Sequence, residues 1–238
     1  MSEATYNYGN VFQGMSNISE HEIAQLLHLT DDAQRFRELM MKYESAISEV
    51  RTKLEVLNRD MSLKYQRNPF ESIKSRLKTP ASIYEKLQRR NLPVTYDSIA
   101  DNLTDIAGVR VICSFMDDIY MLADCLTSQD DITVIHRKDY LANPKDNGYR
   151  SLHLIVEVPI FLTDTKEYMK VEVQFRTISM DWWASLEHKI RYKKDVEITP
   201  EIAQELYDCA EMSAELDKRM ETIQNTVFGD KEAMKNLT

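Results

Sequence analysis

Val171, Val173 and Phe175 alternate with Glu172, Gln174 and Arg176. That period of two predicts a strand with one apolar side turned to a core. The other side shows a carboxylate, an amide and a guanidinium in a row, a face suited to holding a metal ion and a phosphate. Earlier in the chain stands Gly148-Tyr149-Arg150-Ser151-Leu152-His153. Beside a glycine, the Tyr149 ring is open to stacking on a base, although without such neighbours a tyrosine here would read as a core or turn residue.

Three further clusters carry chemistry of the same kind. Arg76 and Lys78 precede Ser82, Lys86 and Arg89, whose spacing of four and three puts them on one helix face. From Lys64 to Arg90 eight cations stand against two carboxylates, a bias that suits a compact polyanion such as a nucleoside triphosphate, although charge runs are more often solvated helix faces. Asp105 sits at the mouth of a strand that carries Arg110. Lys138-Asp139-Tyr140 precedes Lys145 and Asn147, and Trp182, Trp183, Glu187 and His188 follow the opening strand. On neighbouring strands, Asp105 and Glu172 make a natural Mg²⁺ pair, since Mg²⁺ takes one or two carboxylates together with phosphate oxygens and water.

The elements that must position these residues follow from periodicity. A long helix begins at Thr30 or Asp31 and carries an apolar stripe from Phe36 to Met61. Asn68-Pro69 ends it, and a short loop region follows. A second helix runs from about Ala81 to Arg90. Strands are expected at Val109–Phe115, Ile132–Ile135, Ser151–Val158 and Lys170–Arg176, with helices at Asp117–Thr127 and Ile178–Ile190. From Thr199 onward Ile202, Leu206, Cys209, Leu216, Met220, Ile223 and Val227 repeat in heptad fashion, weakened by Ser213. Such a helix packs on its own domain or on a partner. The fold class expected is α/β (α+β): a mixed sheet flanked by helices, with long N- and C-terminal helices. Too little chain separates the last two strands for a helical crossover, so a purely parallel sheet is disfavoured. The expected division is a flexible arm over 1–30, a catalytic domain with its N-terminal helix over 31–198, and a helical extension over 199–238.

With 238 residues the chain can bury a sizeable core. Its net charge of −9 argues against a dedicated nucleic-acid surface. No apolar run approaches the roughly 18 residues that span a bilayer, and the N-terminus does not read as a signal peptide. Three cysteines without metal-ligand spacing suit reduced thiols in a cytoplasmic protein.

Taken in order, Arg-x-Lys, Ser-Ile, Asp-Ile-Ala-Gly-x-Arg, Lys-Asp-Tyr, Asn-Gly-Tyr-Arg-Ser-x-His, Glu-x-Gln-x-Arg-Thr and Trp-Ala…Glu-His resemble the small alarmone synthetases of the RelA/SpoT synthetase family over Arg76 to Tyr192. The resemblance implies a nucleotidyltransferase-like fold and a Mg²⁺-dependent pyrophosphokinase. It would move the β,γ-pyrophosphate of ATP to the ribose 3′-hydroxyl of GDP or GTP, giving ppGpp or pppGpp and AMP in stringent-response signalling. By the same resemblance Arg76, Lys78, Lys86 and Arg89 would hold ATP with Ser82 nearby, and Asp105 would bind the metal. Glu172 would help position the metal or accept the hydroxyl proton, and Tyr149 would stack on guanine. Lys138 and Lys145 would face the acceptor's phosphates. Asn147 falls within the acceptor loop, and Arg110, Gln174, His153, Glu187 and His188 would complete the site. One departure is Asp181, where some members carry asparagine. Small members tend to be homotetramers.

None of the five histidines is followed by aspartate, so synthesis without the family's His-Asp hydrolase is expected. Two rival readings remain beside this one: a nucleotidyltransferase moving a nucleoside monophosphate to another acceptor, and a non-catalytic nucleotide-binding module that assembles through its helices.

Overall fold

The computed structural model describes residues 30–65, 67–191 and 198–235. The expected flexible arm therefore lies, but for Thr30, outside the described residues. Helix α1 spans Thr30–Tyr65 and strand β1 Phe70–Leu77. Then come α2 (Pro80–Arg89), α3 (Tyr96–Asn102), β2 (Ala107–Cys113), α4 (Met116–Thr127) and β3 (Thr133–Asp139). The chain continues through β4 (Leu152–Phe161), β5 (Lys166–Thr177), α5 (Ile178–Arg191) and α6 (Pro200–Lys235).

The five strands form one sheet in the order β1-β2-β5-β4-β3. β2 and β5 run parallel at its centre, and every other pairing is antiparallel. This is the mixed sheet that the short β4–β5 connection required, closed by a backbone bond from Leu162 N–H to the Thr165 carbonyl at 2.8 Å. Along β4 and β5 buried and half-buried residues alternate. Val109, Val111, Leu152, Leu154, Val171, Val173 and Phe175 make the buried face, and α1 and α4 pack on it. Leu39, Tyr43, Val50 and Leu54 of α1 and Ile119 and Leu122 of α4 complete the core.

Three elements differ from the sequence reading. Residues 70–77, expected as loop, are the edge strand β1. A register shift between Phe70 and Ser72 breaks its apolar alternation; a bulge inserts a residue and hides the period of two. α3 was not anticipated, although Thr95 caps it by accepting from the Ser98 N–H at 3.2 Å. β3 is longer than expected because it is an exposed edge, held by backbone pairing to β4 rather than by burial.

α6 forms over the expected span, but its heptad stripe does not face its own domain. Leu216, Met220, Ile223 and Val227 are exposed. The docking face is Ala210, Ser213 and Ala214, all buried. There Thr177 and Ser179 hydroxyls donate to Asp217 at 2.7 and 2.5 Å, and the Trp183 indole N–H donates to the Leu206 carbonyl at 2.8 Å. Small residues let two helices approach closely, so the serine that weakens the apolar pattern marks the contact.

Candidate active site

The sheet's other face carries the polar residues, and strand register sorts them into rows. Lys74 of β1 pairs with Arg110 of β2, Arg110 with Gln174 of β5, Gln174 with His153 of β4, and His153 with Lys138 of β3. Residues paired in register project from the same face. The five therefore form a polar row across the whole sheet. In the next row Arg76 pairs with Gly108, and Gly108 with Glu172. A Cβ on Gly108 would meet no backbone obstacle, its nearest neighbour being the Arg76 carbonyl at 3.5 Å. Between Arg76 and Glu172 this row therefore carries no side chain.

Asp105 lies just ahead of β2. Lys78 follows β1, tied by its N–H to the Ile106 carbonyl at 2.8 Å, and Lys86 comes from α2. That helix starts where it does because Thr79 caps it, with Pro80 in its first turn, and it ends where Asn91 turns left-handed at φ 52°. Both lysine ammonium groups reach one oxygen of Asp105, Lys78 at 2.8 Å and Lys86 at 2.6 Å. Burial acts to raise the Asp105 pKa, but the two lysines outweigh it and hold the acid below its ordinary range. Burial lowers the Lys86 pKa, with Asp105 opposing. The second Asp105 oxygen, Oδ1, is buried without a hydrogen-bond partner.

Glu172 is fixed from both sides. Gln174 Nε2 donates to its Oε2 at 2.9 Å, and His153 Nδ1 lies 3.4 Å from its Oε1. Burial pushes its pKa up; His153 and Gln174 pull it down further, so the carboxyl lies below its ordinary value. Asp105 pushes the other way, which places the two acids within electrostatic reach of each other.

Asp181, on the first turn of α5, is a hub for cations. Its oxygens receive Lys74 at 2.8 Å, Arg110 at 3.0 Å and Arg176 at 3.4 Å. Burial alone would raise its pKa, and these cations lower it overall. Arg110 Nε and Arg176 Nε are buried donors without partners. Orphaned donors on cations are sites for anionic oxygens, and the orphaned carboxylate oxygen of Asp105 is one for a cation.

The loop between β3 and β4 supplies the tyrosine. Gly148 turns at φ +82°, and a Cβ there would stand 2.5 Å from the Ala210 side chain. The glycine lets the loop lie against α6. Arg150 fastens it, donating to the Gly148 carbonyl at 3.0 Å and to Glu211 at 2.8 Å. Tyr149 packs beside Trp183, Ala184 and Ala210, with Tyr140 edge-on to its ring at 5.9 Å. Lys145 Nζ lies 4.8 Å and the Arg176 guanidinium 5.0 Å from the Tyr149 ring centroid. Asn147 donates to Glu187 at 3.1 Å, and Glu187 also pairs with Arg191.

The sequence-picked residues thus gather unevenly. Asp105, Lys78 and Lys86 come into direct contact, as do Glu172, Gln174, His153 and Tyr149, and Asn147 with Glu187. Arg76 and Lys138 share the polar face through strand register, both exposed. Ser82 and Arg89 are exposed on α2, where the Ser82 hydroxyl accepts from Thr79 at 3.0 Å. His188 is exposed on α5. Lys74 and Tyr140 were not picked. Lys74, Arg76 and Lys78 stand at alternate positions, the signal of a strand face, which reading residues 70–77 as loop concealed. Tyr140 belongs to the Lys-Asp-Tyr triplet and was visible there.

A sequence profile described as "Region found in RelA / SpoT proteins" matches residues 75–197. The GTP pyrophosphokinase YwaC of Bacillus subtilis (strain 168) is 43% identical over 188 residues, covering 79% of this chain and 90% of that protein. The GTP pyrophosphokinase YjbM of the same organism is 32% identical over 196 residues, covering 82% and 92%. Among solved structures, small alarmone synthetase 2 of B. subtilis superposes with a TM-score of 0.73 at 40% identity, covering 80% of this chain and 98% of that one. Small alarmone synthetase 1 of B. subtilis, bound to its product pppGpp, gives 0.74 at 32% identity, covering 82% and 98%. With a profile match over more than half its length and relatives at 43% and 32% identity covered to 90% and 92% of their own length, the chain belongs to the RelA/SpoT family, beside the family's small alarmone synthetases.

Proposed function

We propose that this chain is a GTP pyrophosphokinase: it transfers the β,γ-pyrophosphate of ATP to the 3′-hydroxyl of GDP or GTP, releasing AMP and forming ppGpp or pppGpp. One observation carries the reading. Two carboxylates held below their ordinary pKa, Asp105 and Glu172, lie within electrostatic reach of each other, Lys78 and Lys86 contact Asp105, and Asp105 keeps one buried oxygen unengaged. That oxygen suits a hard cation, and two carboxylates with phosphate oxygens and water are a usual Mg²⁺ complement. Asp105 and Glu172 would hold the ion. Mg²⁺ there would supply positive charge against the phosphate oxygens.

The residues divide the remaining work. Arg76, Lys78, Lys86 and Arg89, with Ser82 nearby, bind the ATP phosphates; in-line attack on a polyphosphate depends on positioned cations that neutralise its spreading charge. Arg110, its guanidinium steadied by Asp181, faces the transferred group. Glu172, ionised and aimed by His153 and Gln174, accepts the 3′-hydroxyl proton. Tyr149 stacks on the acceptor's guanine, and a base on the ring face that Lys145 covers displaces that ammonium toward the acceptor phosphates, where Lys138 also lies. Asn147, Glu187 and His188 line the acceptor side.

The same proposal covers the rest of the molecule. The catalytic unit spans 31–198 with a helical extension over 199–238. The exposed apolar stripe of α6, with Trp182 beside it, supports assembly of a homotetramer. No described helix is long and apolar enough to cross a membrane, and the free thiols of Cys113, Cys125 and Cys209 suit a cytoplasmic protein.

The test is direct. Incubated with ATP, Mg²⁺ and GDP or GTP, the protein should yield AMP in step with a tetra- or pentaphosphorylated guanosine on anion exchange. No product from either acceptor, with ATP binding verified, would overturn the reading.

A further inference from the structure

Five side chains of the polar face make a ring of four hydrogen bonds and one longer polar contact. Glu172 Oε2 accepts from Gln174 Nε2 at 2.9 Å, and Gln174 Oε1 accepts from Arg176 Nη2 at 3.1 Å. Arg176 Nη2 also donates to the Tyr149 hydroxyl at 2.6 Å. That hydroxyl lies 2.7 Å from His153 Nε2, and His153 Nδ1 returns to Glu172 Oε1 at 3.4 Å. Only one direction of donation satisfies the ring.

A guanidinium can only donate, so the Tyr149 oxygen is an acceptor toward Arg176. Its own hydrogen is left for His153 Nε2. A neutral imidazole that accepts at Nε2 carries its hydrogen on Nδ1, the nitrogen that faces the carboxylate. The opposite tautomer would set the Nδ1 lone pair against a carboxylate oxygen and leave the phenol hydrogen without an acceptor. An imidazolium would direct a second cationic donor at a phenol oxygen that already receives Arg176.

We propose that Tyr149 is a positioning residue for Glu172: its hydroxyl fixes the Nδ1–H tautomer of His153 and so keeps a donor aimed at the carboxylate. With Gln174 and His153 set against one side of the carboxylate, its remaining lone pairs are left for the metal and the acceptor hydroxyl of the proposed reaction. The catalytic consequence rests on the reading of Glu172 as the proton acceptor. The tyrosine then has two separable tasks, one for its ring and one for its oxygen, and Tyr149→Phe removes only the second. The 3.4 Å separation at the carboxylate fits a contact that tightens when substrate binds.

Two measurements test this. In protein labelled with ¹⁵N-histidine, two-bond ¹H–¹⁵N correlation spectra at a pH where the ring is neutral show which nitrogen bears the hydrogen; a His153→Gln spectrum identifies the signal. The Nδ1–H form is expected in the parent protein, and a shift toward Nε2–H in Tyr149→Phe. In steady state, Tyr149→Phe should lower kcat about 10- to 100-fold, the usual cost of losing a supporting hydrogen bond, with the acceptor KM within about twofold. His153→Asn supplies an amide donor near the Nδ1 position without needing the phenol. In that background Tyr149→Phe should change kcat by less than about twofold, as coupled residues do. The proposal is overturned by an Nε2–H ring in the parent protein, by a tautomer that ignores Tyr149→Phe, by a KM effect without a kcat effect, or by kcat losses that multiply in the double variant. The spectra need no turnover. An inactive parent protein with the expected tautomer would sink the pyrophosphokinase reading, and with it the role for Glu172, while leaving the hydrogen-bond assignment standing.

Discussion

Glu172 and Asp105 are both carboxylates on one face, yet their surroundings give them different work. Asp105 is clamped by two ammonium groups at a single oxygen, an arrangement for holding charge. Glu172 is aimed by two donors through both oxygens. Glu172→Gln keeps the shape and removes the proposed proton acceptor. It should retain nucleotide affinity in calorimetric titration and lose at least about 100-fold in single-turnover rate; a rate near the parent's would assign the base elsewhere. Asp181 gives a second test, of stability. Its folded pKa lies below the ordinary 3.8, so the stabilisation from its ion pairs is present above that value and is lost as pH falls through the depressed one. Asp181→Asn should therefore melt at lower temperature than the parent at neutral pH, with the gap narrowing as the pH drops below 3.8. A gap that stays constant would place the stabilising effect in packing instead of charge. At this scale the sequence was highly legible: the alternation of Glu172, Gln174 and Arg176 announced a polar face opposite the core. The closed ring was not, because its bonds cross between strands and a loop that only the register brings together.

Among elements, α6 and the loop carrying Tyr149 depend on each other. Gly148 is where they touch. Gly148→Ala would force a side chain into the left-handed region and against Ala210. The backbone strain alone costs about 1–3 kcal/mol. Expected outcomes are a lower melting temperature and faster amide exchange in α6 around Ala210. Adding Ala210→Gly should recover the part due to overlap and leave the part due to strain. The sequence showed that α6 was a helix but not which side it docks, since docking uses Ala210, Ser213 and Ala214, residues too small or polar to register in an apolar count. β1 was missed for a related reason. An edge strand with a bulge is specified by its neighbour's backbone more than by its own pattern, and its Lys74 and Arg76 were read without the strand that lines them up.

For the whole molecule, a one-sided core leaves the sheet's other face free for ligands, and the α6 stripe leaves a second apolar surface. Met212 is 72% exposed and Trp182 58%, far from the usual fate of such side chains. Leu216→Glu with Met220→Glu should shift the protein from the proposed tetramer to smaller species in size-exclusion chromatography with light scattering, while its circular dichroism stays unchanged. A parent protein that elutes as a monomer at micromolar concentration would remove the assembly. The overall architecture could be anticipated because strand periods and a short connection already exclude most alternatives; the exposure of the α6 stripe could not, because a heptad stripe reads alike whether it faces inward or out.

The parallel pairing at the sheet's centre sets a timetable for the chain's own maturation. Asp105 leads into one strand of that pair and Glu172 lies on the other, so the two acids meet only after Ala107 finds Val171. Before that, β1 and β2 can zip together nearby and β4 and β5 can close as a hairpin, each half carrying one acid and neither able to act. Long-range parallel pairing is slow because a large loop must be closed before it is rewarded. Reactivity toward ATP should therefore arise in one late step during refolding, after most secondary structure has formed, so that a half-made chain does no chemistry.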